Sequence, residues 1–168
     1  GGFLNAVLLS AQTACCNADG SYPPLLQPQI EREFVAMFLR EWRLARGDQP
    51  LRAIAIVDEN PTSQFLYPEF LLAQSLFERA GIRTLIADPG ELEFREGQLW
   101  HQDQSIDLVY NRLTDFSLAQ TVNQTLRAAY EQDAIVLTPN PFHHAIYADK
   151  RNLAILSDAQ QLAALGVD

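Results

Sequence analysis

The chain has 168 residues, 48% hydrophobic and 20% charged, enough to bury one core and too apolar for an intrinsically disordered segment. A formal net charge of −9 and a pI near 4.7 argue against nucleic acid or an anionic membrane as partner, because either demands a clustered basic surface. No apolar run approaches the roughly 20 residues that span a bilayer, so no membrane-spanning segment is expected.

Gly1-Gly2-Phe3-Leu4-Asn5 opens without an initiator methionine and runs into a short helical pattern, Ala6 to Cys15, that has no start signal of its own. The chain reads as cut from a longer one. Phe3 to Leu9 lacks the basic flank and the length of a signal peptide, so a cytoplasmic location is expected. Cys15 and Cys16 are adjacent and cannot form an ordinary intrachain disulfide. No Cys/His spacing suits zinc, so the thiols read as reduced and no metal ligands are assigned. The turn-rich stretch from Asn17 to Pro24 precedes a helix expected from Pro28 to Arg46, with Ile30, Phe34, Met37, Phe38 and Trp42 as its apolar stripe. Gly47-Asp-Gln-Pro50 ends it.

Leu51 to Gln64, LRAIAIVDENPTSQ, is the stretch around which the rest is organised. Arg52 to Val57 has the unbroken Ile/Val/Ala character of a strand buried on both faces in a parallel sheet. It stops at Asp58, Glu59 and Asn60, placing polar groups where open α/β sheets collect ligands. Asx residues also form turns and cap helices, and that reading stays open for Asp58 and Asn60. Thr62 or Ser63 can cap a helix running to about Ala80 with Leu72, Leu76 and Phe77 facing the sheet, although Pro68 would be better placed if the helix began near Tyr67.

Ile82 to Ala87 gives a second strand, and with the preceding helix a β-α-β unit. Leu92 to Trp100 suggests a small hairpin inserted on the sheet. Ile106 to Asn111 is a third strand, Ser117 to about Gln132 a helix with Leu118, Val122, Leu126 and Tyr130 inward, and Ala134 to Thr138 a fourth strand. Pro139 to His144 interrupts before a short helix, Asp149 to Leu156, and its follower, Asp158 to Leu165. The class expected is α/β with an open, mainly parallel sheet.

Three strands then end in polar residues on one rim: Asp58 with Asn60, Arg112, and Asn140 with His143 and His144. The planar fork of an arginine suits a carboxylate, and carboxamides beside an acid can hold an amine, so an amino acid or small peptide fits such a rim. Arg112 could instead pair with Asp115 or Asp58. Adjacent histidines on an extended segment point opposite ways, which argues against a shared metal.

Taken in order, the motifs resemble the middle of a glutathione-synthetase-like ATP-grasp ligase of the circularly permuted, eukaryotic type. Gly1-Gly2-Phe3-Leu4 matches the tail of its glycine segment, and Asp58, Asn60 and Gln64 match a Glu-x-Asn-x-x-x-Gln set that binds peptide substrate. Val109-Tyr-Asn-Arg112 matches a Val-Tyr-Phe-Arg motif whose arginine grips a substrate carboxylate. Asp149-Lys-Arg-Asn matches a Thr-Lys-Lys segment whose first lysine, here Lys150, approaches ATP phosphates. The resemblance implies a three-layer Rossmann-like substrate-binding (pre-ATP-grasp) domain over residues 28–148. It is flanked by a segment, 1–27, arriving from an ATP-grasp lobe and a helical return, 149–168. It also implies substrate contacts at Gly1, Gly2, Asp58, Asn60, Gln64 and Arg112, ATP and Mg2+ in the intact enzyme, and the rest of its own ATP-grasp chain as partner, with a homo-oligomer as a further option.

The departures are equally plain. Asp58 stands where the family has the longer glutamate, and the glycine-rich grasp loop and acidic magnesium ligands do not occur in these residues. No catalytic residue is therefore assigned. The fragment alone is expected to hold no ATP and to be inactive, because acyl-phosphate chemistry relies on metal ions and positive groups around the transferring phosphoryl. The alternative is a stand-alone, non-catalytic α/β module that binds an amino acid or small peptide. A dinucleotide-binding domain fares poorly, since no G-x-G-x-x-G follows Val57.

Overall fold

The apolar run after Arg52 becomes a strand covered on both faces. In the computed structural model, which describes residues 27–166, the elements run α1 (Gln27–Arg46), β1 (Ala53–Val57), α2 (Tyr67–Arg79), β2 (Arg83–Ala87), β3 (Leu92–Arg95), β4 (Gln98–His101), β5 (Gln104–Ile106), β6 (Leu108–Asn111), α3 (Gln124–Glu131), β7 (Val136–Thr138), α4 (Pro141–Tyr147), α5 (Arg151–Leu156) and α6 (Ala159–Ala164). The fold is α/β. A four-stranded sheet has the order β2-β1-β6-β7 with every pairing parallel, and β3, β4 and β5 form a separate antiparallel sheet.

Register divides the parallel sheet into two faces. Ile54 pairs with Leu108 and Ala55 with Val109, so alternate residues point to opposite sides. On one side Ile54, Ile56, Leu108 and Val136 pack with Phe38 and Trp42 of α1 and with Phe70, Ala73 and Phe77 of α2. On the other, Ala55, Val57, Val109 and Leu137 meet Leu126 and Ala129 of α3 and Leu92, Leu99 and Ile106 of the antiparallel sheet. Burying each of Phe38, Phe70 and Phe77 stabilises the fold by about 1.5–3 kcal/mol, which is why helices and strands of modest propensity hold together here. Helix α1 ends where Gly47 takes a positive φ of 64° and its N–H reaches back to the Arg43 carbonyl at 2.9 Å.

Several expected elements are displaced, each for a local reason. The stretch after Asn60 makes a short 3-10 turn, Pro61–Ser63, and α2 begins only at Tyr67, with Pro68 in its first turn where no N–H is needed. On its inward face Phe70, Ala73, Leu76 and Phe77 are buried, while Leu72 is exposed. Met37 in α1 is likewise on the outer side. The expected hairpin is three-stranded, and the expected strand from Ile106 to Asn111 is broken at Asp107. Its buried carboxylate accepts the N–H groups of Arg52 at 2.8 Å and Ala53 at 3.1 Å, so Ile106 belongs to β5 and Leu108 starts β6. Leu118 is buried with a positive φ of 53°, which delays α3 to Gln124 and leaves Val122 exposed. Pro139 to His144 is not an extended interruption: Asn140 caps α4, and both histidines lie on that helix. No helix among the described residues is long and apolar enough to cross a membrane.

Candidate functional site

Because β1, β2, β6 and β7 are parallel, their carboxyl ends share one edge. The chain leaves β1 for β2 on one side and later adds β6 and β7 on the other, so the strand order reverses between β1 and β6. In open α/β sheets ligands commonly bind beyond the carboxyl ends at such a reversal. Asp58 follows β1 and Arg112 follows β6, and the two flank that point.

Backbone bonds fix both positions. The Arg112 N–H donates to the Val57 carbonyl at 2.9 Å, extending the ladder by one residue, and the Asp58 N–H donates to the Ala87 carbonyl at 3.3 Å. Asn111, buried in the step between them, donates from Nδ2 to the Pro139 carbonyl at 3.1 Å and accepts the Leu113 N–H at 3.0 Å, tying the exits of β6 and β7 together. Arg112 is therefore mounted on sheet, not on loop.

Its side chain is held by an aromatic cluster. Tyr110 packs edge-to-face on Phe38, with ring centroids 4.9 Å apart, and Phe38 does the same on Phe77 at 4.9 Å. The Tyr110 hydroxyl accepts from Arg112 Nη1 at 3.2 Å, and the guanidinium carbon stands 5.5 Å from the Tyr110 ring and 5.6 Å from Phe70. On its other side Arg112 Nη2 lies 3.4 Å from Oε2 of Glu69, in the first turn of α2. Glu69 is thus the acid that Arg112 pairs with, in place of Asp115 or Asp58. Asp58 still feels the guanidinium: burial pushes its carboxyl above the usual value, while the Glu59 N–H bond and the Arg112 charge oppose that rise. Burial also raises the Tyr110 phenol, against Arg112 and with help from the Glu69 charge.

The loop after β1 is preorganised. Asn60 sits in the left-handed region, φ 43° and ψ 57°, which asparagine tolerates better than most residues. Its N–H donates to Asp88 Oδ2 at 2.7 Å, and Asp88 Oδ1 accepts from Gly90, so the loops after β1 and β2 share one carboxylate. Gln64 Nε2 donates to the Glu59 carbonyl at 2.6 Å, so this amide braces the loop. Asn60 is exposed and makes no side-chain cap bond.

The other expected rim groups are engaged elsewhere. Asn140 Oδ1 accepts the His143 N–H at 2.8 Å, and His144 stacks on Phe116 with centroids 3.8 Å apart, above a cavity of about 470 Å³ lined by Thr114, Asp115 and Gln120. Burial works against Asp115, but bonds from Gln120, Asn123, Ala119 and Ser117 together hold its carboxyl below the usual range. Lys150, exposed at the start of α5, borders a separate groove of about 740 Å³ with Ile146, Leu153 and Leu165. Gly1, Gly2, Cys15 and Cys16 lie outside the described residues.

No family model and no curated protein matches the chain. The rim itself offers one fixed guanidinium, two carboxylates of which one is buried, and carboxamides on a braced loop. Glu69 and Tyr110 were not legible as site residues. Glu69 lies 43 positions from Arg112, and no spacing rule connects a first-turn glutamate to a strand end.

Proposed function

We propose that this rim binds the carboxylate and amine of an amino acid or small peptide, as the substrate-binding domain of a glutathione-synthetase-like, ATP-dependent carboxylate–amine or carboxylate–thiol ligase with a three-layer Rossmann-like fold. The observation that carries the reading is the placement of Arg112 and Asp58 at the carboxyl ends of adjacent strands where strand order reverses. Arg112 would grip the carboxylate. Asp58, Asn60 and Gln64, in the spacing of the resemblance, would face the amine side.

Among the described residues no three His, Cys, Asp or Glu side chains gather as metal ligands, and Lys150 is the N-cap of the six-residue helix α5, beside a groove that Asp149 and Asn152 also line. ATP and Mg2+ would belong to ATP-grasp lobes elsewhere in a longer polypeptide, and the rim's share of the reaction is recognition and orientation. A non-catalytic binding module uses the same rim and differs only in lacking those lobes.

The test is made on the native polypeptide captured from its source cells. Its mass is measured, and phosphate release from ATP is followed with panels of amino acids and peptides. A polypeptide several tens of kilodaltons heavier than 18.8 kDa, with ATP consumption dependent on both an acid and an amine, supports the ligase. Arg112→Ala should then raise the substrate KM with ATP affinity nearly unchanged, because only a substrate contact is lost. Equal losses for both ligands would refute that role. A native mass of 18.8 kDa leaves the binding module alone.

A further inference from the structure

The Arg112–Glu69 pair is poorly made for a purely structural ion pair. A supporting Arg–carboxylate contact generally uses both oxygens on the fork at about 2.7–2.9 Å. Here a single contact spans 3.4 Å, and the second oxygen, Glu69 Oε1, is buried with no hydrogen-bond partner. Glu69 has a side chain only 8% exposed, whereas that of Arg112 is 20% exposed, so the guanidinium is the more open of the two groups. An unpaired buried carboxylate oxygen carries a desolvation penalty that an incoming donor would relieve.

Resting on the reading of the rim as an amino-acid or peptide site, we propose that Glu69 Oε1 receives the ligand's ammonium, so that Glu69 and Arg112 together read the zwitterionic head of an α-amino acid. The spacing selects the class. Arg112 Nη2 and Glu69 Oε2 lie 3.4 Å apart, so the guanidinium and the carboxylate that carries Oε1 are in contact, and a ligand bridging them needs its own carboxylate and ammonium close together, as they are when both are bonded to one carbon. A simple carboxylic acid satisfies Arg112 and leaves Oε1 unpaired. An ω-amino acid carries its ammonium too far away. A site that offers a buried acceptor discriminates against analogues lacking the donor more strongly than a merely apolar pocket does. Asp58, less buried and already accepting the Glu59 N–H at 2.9 Å, adds negative potential beside the head group without being its main partner.

The test is a titration of the isotopically labelled chain, followed by backbone amide shifts, with L-alanine, propionate and 4-aminobutyrate as probes, repeated on Glu69→Gln and Tyr110→Phe. One charge-assisted hydrogen bond predicts that alanine binds about tenfold or more tighter than either analogue. Glu69→Gln should reduce that preference to within about threefold while propionate still binds. Tyr110→Phe loosens Arg112 and should weaken alanine and propionate together, keeping their ratio. Equal binding of alanine and propionate to the unmodified chain overturns the role of Glu69 and leaves Arg112 as a carboxylate site. A preference that survives Glu69→Gln does the same. If none of the three acids binds, the carboxylate site itself is refuted, and the role of Glu69 with it. The spectra of the variants report whether each is folded, and the ratio in the unmodified chain decides the matter without them.

Discussion

Replacing Arg112 by leucine should destabilise the chain mainly through what it leaves behind. At 3.4 Å and an effective dielectric near 20, the gross attraction between Arg112 and Glu69 is about 5 kcal/mol, most of which offsets the desolvation of the two groups. Removing Arg112 alone leaves a nearly enclosed carboxylate with neither oxygen paired, a situation that costs about 3–5 kcal/mol. The 20% exposure of Arg112 lets water in once it is gone, so the lower end, about 3 kcal/mol, is expected. Replacing both residues by leucine removes the stranded charge and should cost only about 1 kcal/mol, mostly the lost bond to Tyr110. The cycle is completed by Glu69→Leu and read from urea midpoints at constant m-value. A coupling of about 2 kcal/mol or more is expected. If Arg112→Leu costs less than about 1 kcal/mol, or if the double variant is as unstable as Arg112→Leu, then Glu69 is not held as a buried anion and the site argument fails.

Other consequences are testable on the same chain. Burial raises the Asp58 pKa, so between the ordinary aspartate value and the raised one the native state keeps a proton that the unfolded state has shed, and stability falls as pH climbs through that window. Asp58→Asn should accordingly raise the denaturation midpoint at neutral pH, with the gain fading on acidification below the window; a loss at neutral pH would contradict this. Asp107→Ala strands the N–H groups of Arg52 and Ala53 at the start of β1 and should cost about 2–4 kcal/mol, whereas Arg52→Ala, which removes a largely exposed partner, should cost under about 1 kcal/mol by thermal or urea unfolding. Equal costs would mean that the ion pair, not the backbone, matters. Asn60→Gly should be nearly neutral and Asn60→Val should cost about 1–2 kcal/mol, because a β-branched residue resists the left-handed conformation; a neutral valine variant would show that the loop relaxes.

Strands β1 and β2 and helix α1 were legible because each is a continuous local pattern: Ala53–Val57 has no polar interruption, and Phe34, Phe38 and Trp42 recur at helical spacing. The shared edge of Asp58 and Arg112 followed from the parallel class alone. What local patterns hide are residues whose job is set by distant partners. Asp107 looks like one polar residue inside an apolar run, yet its carboxylate closes on residues 55 and 54 positions away. Leu118 reads as the first apolar turn of a helix, but its positive φ serves a buried corner. On α2 the expected Leu76 and Phe77 are buried, but Phe70 and Ala73 join them on the inner face where Leu72 was expected. Glu69, next to Phe70 on that helix, is buried against Arg112.

The carboxylate of Asp88 has a consequence for how this rim can be rebuilt. One oxygen holds the Asn60 N–H, the other holds Gly90, and Glu91 reaches back to the Asp88 N–H at 2.9 Å. The two loops are thereby a single mechanical part. Because the bond is made by the backbone N–H, any residue but proline at position 60 can keep it, so a new side chain can be tried there alone, whereas a change at Asp88 would release both loops at once.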